Sequence, residues 1–356
     1  GGLLPLSGDV KSIAVIGPNA DDHDVLLGTY NGTPSREVTA LEGIRSRAPA
    51  GCEVRYAKGC EITGDVRSGF GEAVAAAEKA EVAVVVLGLH PRIEGEEGDA
   101  VDSEANGDRV HIDLPGAQEE LLKAVHDTGT PVVLVLMNGS AVAINWAEGN
   151  VPAILTAWYP GEEGGTAVAE ALFGDYNPAG RLPVTFYKSL DQLPAFADYR
   201  MEGHTYRYFR QEPLYPFGYG LSYTRFRYGS LRVGPERVEA GGEVEVCAEV
   251  ENAGGRAGEE VVQLYVSNAA ASAPVPIRQL AGFRRVSLGP GERESVRFTL
   301  TPRQMSLIDE DGSRVVEPGE FAVVVGGGQP GARGMVEGES VVGGRFEVVG
   351  VVTEVE

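Results

Sequence analysis

Apolar residues first come in short blocks, Ser12–Ile16, Val82–Leu89, Val132–Met137 and Ala153–Trp158, with the alternating Cys52–Tyr56 among them. Runs of this length, bounded by turn residues, predict strands, and the Val82–Leu89 run predicts a central strand buried on both faces. Between the blocks lie Leu41–Arg47, Phe70–Ala80, Gln118–His126 and Thr166–Phe173, which read as amphipathic helices. Strand and helix alternate from residue 12 to about 186. That alternation predicts a three-layer α/β sandwich, with a mostly parallel sheet of six or so strands between two layers of helices.

The rhythm is lost over residues 187–222, which are rich in Pro, Tyr, Phe and Gly, as in Tyr215-Pro216-Phe217-Gly218-Tyr219-Gly220. This stretch reads as a connector held by its aromatic residues. Beyond it the period is two, in Glu243–Glu249, Val261–Val266, Ser295–Leu300 and Phe321–Val325, with turns such as Gly289-Pro290-Gly291 between them. An all-β sandwich is expected. It lacks the Cys, Trp, Cys spacing of an immunoglobulin domain, so a fibronectin type III-like module fits better. The expected division is therefore an α/β domain over 1–186, a connector over 187–222 and a β domain over 223–356. A length of 356 residues gives each domain enough chain for its own core.

Composition narrows the function classes. Hydrophobic residues make up 43% of the chain, yet no apolar run approaches the roughly 20 residues that span a bilayer. No membrane span is expected. Asp and Glu outnumber Lys and Arg by 52 to 30, for a net charge of -22. Such a surface repels a phosphate backbone and argues against nucleic acid as a partner. Cys52, Cys60 and Cys247 form no metal knuckle. A Cys52–Cys60 bridge and small buried hydrophobes are both open readings of them. The opening Gly1-Gly2-Leu3-Leu4-Pro5-Leu6 has neither the basic start nor the long apolar core of a signal peptide. It reads like a linker entering a strand, as at an internal start, and assigns no compartment.

In open α/β sheets ligands gather at loops that leave the carboxyl ends of strands. Two such loops stand out. The first, Gly17-Pro18-Asn19-Ala20-Asp21-Asp22, continues to Gly28-Thr29-Tyr30-Asn31-Gly32 and has no glycine-rich nucleotide motif or suitably placed Lys. No nucleotide or other cofactor is expected. The second follows Leu89 and gathers Glu94, Glu96, Glu97 and Asp99 beside Arg92, ahead of Asp108 and Arg109. Crowded carboxylates raise one another's pKa, which suits a proton donor working near neutral pH. A solvated acidic loop or a weak calcium site is the other reading of the same residues. Other schemes lack parts: there is no GxSxG elbow, Ser140 has no triad partners visible in the sequence, and the five histidines show no metal-ligand spacing.

Several segments together resemble glycoside hydrolase family 3. They are Ile13-Ala14-Val15-Ile16-Gly17-Pro18-Asn19-Ala20, Glu94-Gly95-Glu96 before Gly107-Asp108-Arg109, and Asp113-Leu114-Pro115 leading to Gln118. Trp158-Tyr159-Pro160-Gly161, Gly174–Pro183 and Pro216–Thr224 follow in order. The resemblance runs through the whole chain. It implies part of a retaining, exo-acting β-glycosidase that removes terminal β-linked glucose or xylose from oligosaccharides or glycosides. The family's barrel domain, which carries the aspartate nucleophile, has no counterpart in this sequence, so the resemblance implies a barrel partner in the same or another chain. It also implies that this chain alone is inactive. The acid/base position falls on Glu96 by resemblance. Residues 97–107 are inserted before Asp108-Arg109, and Glu94 and Glu97 stay as rivals. Tyr30 falls where the family places an aromatic wall for the leaving sugar. No metal or cofactor is implied. The alternative is a non-catalytic carbohydrate-binding or assembly module.

Overall fold

The first half of the chain builds a five-stranded parallel sheet from β1 (Ser12–Ile16), β2 (Glu53–Ala57), β3 (Val82–Gly88), β4 (Val132–Met137) and β5 (Ala153–Thr156). The structure is a computed structural model that describes residues 2–95, 100–105 and 107–355. Strand order is β2-β1-β3-β4-β5, with Val84 of β3 level with Val15 on one side and Val133 on the other. Six or so strands were expected from the apolar blocks; the described residues form five in this sheet. The alternation of blocks and helices was read correctly as a parallel α/β arrangement.

All seven residues of β3 and all six of β4 are buried, as a strand covered on both faces requires. One face, with Ile13, Val15, Val84, Val86, Val133 and Val135, packs on α1 (Ala40–Arg47) and on a further helix, Gly164–Phe173. The alternate residues Ile16, Val85, Leu87, Leu134 and Leu136 are equally buried and face the other layer. That layer contains α2 (Phe70–Glu78) and α3 (Gln118–His126). The remaining helices of this half are α4 (Asn145–Asn150) and α5, the Gly164–Phe173 helix. Local chemistry sets the boundaries. Thr39 opens α1 with a reciprocal cap, its hydroxyl accepting from the Glu42 N–H at 3.2 Å while the Glu42 carboxylate accepts from the Thr39 N–H at 2.9 Å. In α3, Leu121, Leu122 and Val125 turn inward.

The chain divides into two units. One runs to Tyr176 and includes Tyr187–Gln192; the other comprises Asn177–Phe186 and the chain from Leu193 onward. The second unit holds β6 (Phe226–Gly234), β7 (Arg237–Glu239), β8 (Val244–Asn252), β9 (Gly258–Asn268), β10 (Gln279–Leu288) and β11 (Arg293–Leu300). It continues with β12 (Leu307–Ile308), β13 (Arg314–Val316), β14 (Gly319–Gly326), β15 (Val341–Val349) and β16 (Thr353–Glu354). Sheets β10-β9-β14-β15-β7 and β11-β8-β6 contribute to one core, and β12-β13-β16 form a small third sheet. Period-two patterning is visible in β8, where Val244, Val246, Ala248 and Val250 are buried and the residues between them are not. Arg181 and Glu260 form an almost fully buried ion pair in this unit, with Nη2 2.9 Å from the Glu260 carboxylate. Among the described residues no helix is long and apolar enough to cross a membrane.

Candidate active site

Strand order reverses between β1 and β3: from β1 the chain steps outward to β2, and from β3 it steps the other way to β4. Loops leaving the carboxyl ends of such a pair diverge and open a crevice for ligands. The two loops singled out by sequence are these two. Asn19, buried three residues beyond β1, spans the crevice by donating from Nδ2 to the Leu89 carbonyl at 2.8 Å.

Next to Leu89, His90 accepts the Arg92 N–H on Nδ1 at 3.0 Å, so its own proton lies on Nε2, 3.5 Å from Asp22. Asp22, Asp24 and His90 stand close enough together to share a cation. This tautomer, however, presents a cation with an N–H in place of a lone pair. The residues do not fit a metal. Burial pushes the Asp22 carboxyl up, but the hydrogen bond from His90 and two backbone N–H groups outweigh it and hold the carboxyl below its ordinary range.

Of the four clustered carboxylates Glu94, Glu96, Glu97 and Asp99, Glu94 is the one among the described residues. The Ser140 hydroxyl donates to Glu94 Oε2 at 3.4 Å and accepts from Arg109 Nη1 at 2.8 Å. Arg109 also donates to the carbonyls of Ala141 at 2.8 Å and Asp113 at 3.4 Å. Ser140 thus relays between a carboxylate and a guanidinium that lie on either side of the acidic loop in sequence. The Gly139 backbone presses on this group: a β-carbon there would stand 2.4 Å from Glu94 Oε1 and 2.8 Å from the Tyr159 ring. Glycine alone fits. The Tyr159 hydroxyl is buried beside Glu94, outside strict hydrogen-bond geometry.

Burial raises the Glu94 pKa, opposed by the Arg109 charge and then by Ser140, Tyr159 and the Gly139 N–H. Burial likewise lowers the Arg109 pKa, and burial followed by the Glu94 charge keeps the Tyr159 hydroxyl protonated. Further braces hold the loop. Gly95 N–H donates to the Gly107 carbonyl at 3.4 Å, and Arg92 Nε donates to Asp102 at 2.7 Å.

Glu96, Glu97 and Asp99 lie outside the described residues. Tyr30 is 81% exposed, with φ of 55° in the left-handed region. Its loop and the acidic loop are neighbours, because a β-carbon on Gly95 would lie 2.8 Å from the Thr29 methyl group. The sequence reading missed the part played by Ser140 and Tyr159. Tyr159 does fall within one of the family-like motifs, but Ser140 is joined to its partners only by the fold. Cys52, Cys60 and Cys247 are all free thiols.

An open parallel α/β sheet with an acidic loop at its switch point, joined to a two-sheet fibronectin type III-like sandwich, is the paired architecture of a class of glycoside hydrolases. Residues 1–223 match the glycosyl hydrolase family 3 C-terminal domain and residues 260–329 the fibronectin type III-like domain. The chain belongs to glycosyl hydrolase family 3. It is 40% identical over 336 residues to a β-xylosidase from Formosa agariphila, covering 91% of this chain and 45% of the relative. It is 36% identical over 349 residues to a periplasmic β-glucosidase from Salmonella typhimurium, covering 88% and 44%. A solved β-glucosidase structure from Erythrobacter marinus superposes with a TM-score of 0.85 at 38% identity, covering 98% of this chain and 48% of that one. The chain therefore spans about half the length of the curated relatives it matches.

Proposed function

We propose that this chain is the acid/base-bearing part of a retaining, exo-acting β-glycosidase that releases terminal β-linked glucose or xylose. Glu96 is the general acid/base in this reading, and Tyr30 the wall against which the leaving sugar stacks. The observation that carries it is the fastening of the loop on which Glu96 lies: Glu94 before it and Arg109 after it meet through Ser140 at the mouth of the switch-point crevice. Glu94 is engaged by Ser140, so it serves as the loop's anchor and leaves the proton-transfer role to its neighbour. Retention requires two carboxyl groups about 5 to 5.5 Å apart, one to attack the anomeric carbon and one to protonate the departing oxygen. Glu96 gives its proton to the glycosidic oxygen as that bond breaks. It then takes one from the water that releases the sugar from the nucleophile. The nucleophile belongs to a barrel elsewhere in the polypeptide or on a separate chain.

The test is Glu96→Ala in the protein that includes the barrel. Hydrolysis of glycosides with poor leaving groups should collapse, activated aryl glycosides should suffer less, and azide should restore turnover of the latter. Undiminished hydrolysis of both substrate types would remove Glu96 from the role.

A further inference from the structure

In the second unit a cavity of about 600 Å³ opens beside a short helix, α6 (Thr205–Tyr208). That volume falls in the range of small-molecule sites. One wall is apolar: Tyr206, stacked on Phe217 at 4.2 Å between ring centroids, with Phe209, Pro213 and Ile277. The opposite chemistry comes from Arg278. Its Nη1 donates to Gln329 Oε1 at 2.9 Å. Gln329 is 2% exposed and is fixed in that orientation because its Nε2 donates to the Phe217 carbonyl at 2.7 Å. Among the described residues no carboxylate pairs with Arg278, and burial lowers its pKa.

A partly buried guanidinium whose hydrogen-bond partner is a neutral amide keeps most of its desolvation cost uncompensated. A second guanidinium, that of the exposed Arg210, also lines the cavity, in a chain of net charge -22. Thr185 adds a second unfilled demand. It is 7% exposed, it lines the cavity, and its hydroxyl has no hydrogen-bond partner.

We propose that this cavity binds a carboxylate-bearing sugar, a uronic acid unit, with its carboxylate on Arg278, a hydroxyl on Thr185 and its ring against the Tyr206–Phe209 wall. A guanidinium recognises a carboxylate through paired N–H donors, and aromatic and aliphatic side chains take up the C–H face of a ring. The site is independent of the Glu96 loop, so it stands whether or not that loop is catalytic.

Titration calorimetry of the whole chain with D-glucuronate, D-glucose and acetate tests it. Glucuronate should bind saturably in the millimolar range, and glucose and acetate should bind far more weakly. Arg278→Gln should weaken glucuronate binding by about tenfold or more, the loss of a charge-assisted bond. Arg210→Gln, at the exposed rim, is the second variant and should weaken it to a smaller degree with the fold intact. No saturable glucuronate binding, equal binding of acetate, or glucuronate binding unchanged in both variants would overturn the proposal.

Discussion

Arg109→Met isolates what holds the acidic loop in place. The substitution keeps the length of the side chain's apolar stem and removes the guanidinium that donates to Ser140, Ala141 and Asp113. It leaves Glu94 half-buried with no cation nearby. Breaking a fully buried pair from one side costs about 3–5 kcal/mol. Arg109 is only partly buried, so the expected loss at neutral pH is near the lower end, roughly 3 kcal/mol. For a unit of this size that lowers the melting midpoint by about 6–12 °C.

The pH dependence gives a sharper readout. The Glu94 pKa is raised in the folded chain, so above the ordinary glutamate value the folded state holds more protons than the unfolded one. Stability from this group is therefore present at acidic pH and falls as pH rises through the raised value. Removing the Arg109 charge, the strongest opponent of that rise, extends the window upward. The cost of Arg109→Met should accordingly be larger near pH 8 than near pH 4. Glu94→Gln added to Arg109→Met should recover part of the loss, with a coupling of about 1–3 kcal/mol. Urea unfolding followed by tryptophan fluorescence is a clean assay, because both tryptophans, Trp146 and Trp158, belong to the α/β unit. A loss under about 1 kcal/mol that does not change with pH, or zero coupling, would refute the anchor.

Two further outcomes follow from packing. Gly139→Ala places a methyl group on Glu94 and Tyr159 and should cost about 1–3 kcal/mol by the same fluorescence assay; a neutral result would mean that the loop gives way freely there. Glu260→Ala strands Arg181 in the β unit and should cost about 3–5 kcal/mol, seen by circular dichroism, while the tryptophan transition stays in place.

The fold was legible where burial is uniform or strictly alternating. β3 and β4 are continuous apolar runs, and β8 alternates without error. The edge strand β10 escaped notice because Phe283, Arg284 and Arg285 follow one another exposed. β15 escaped because Gly343 and Gly344 interrupt its apolar positions. In the site, sequence could crowd four carboxylates into one loop, but it could not say that Glu94 turns inward. That depends on Ser140, 46 positions away, and on Arg109, itself 31 positions from Ser140. Ser140 was set aside for want of nucleophilic partners. Its real partners are the two feet of the loop.

Because Glu94 and Arg109 clasp the loop at its base, its length is uncoupled from the stability of the sheet beneath. Closing a flexible loop costs only about 0.6 kcal/mol more for each doubling of its length. Changing the number of residues between these two feet should therefore alter the stability of the sheet little while the clasp holds.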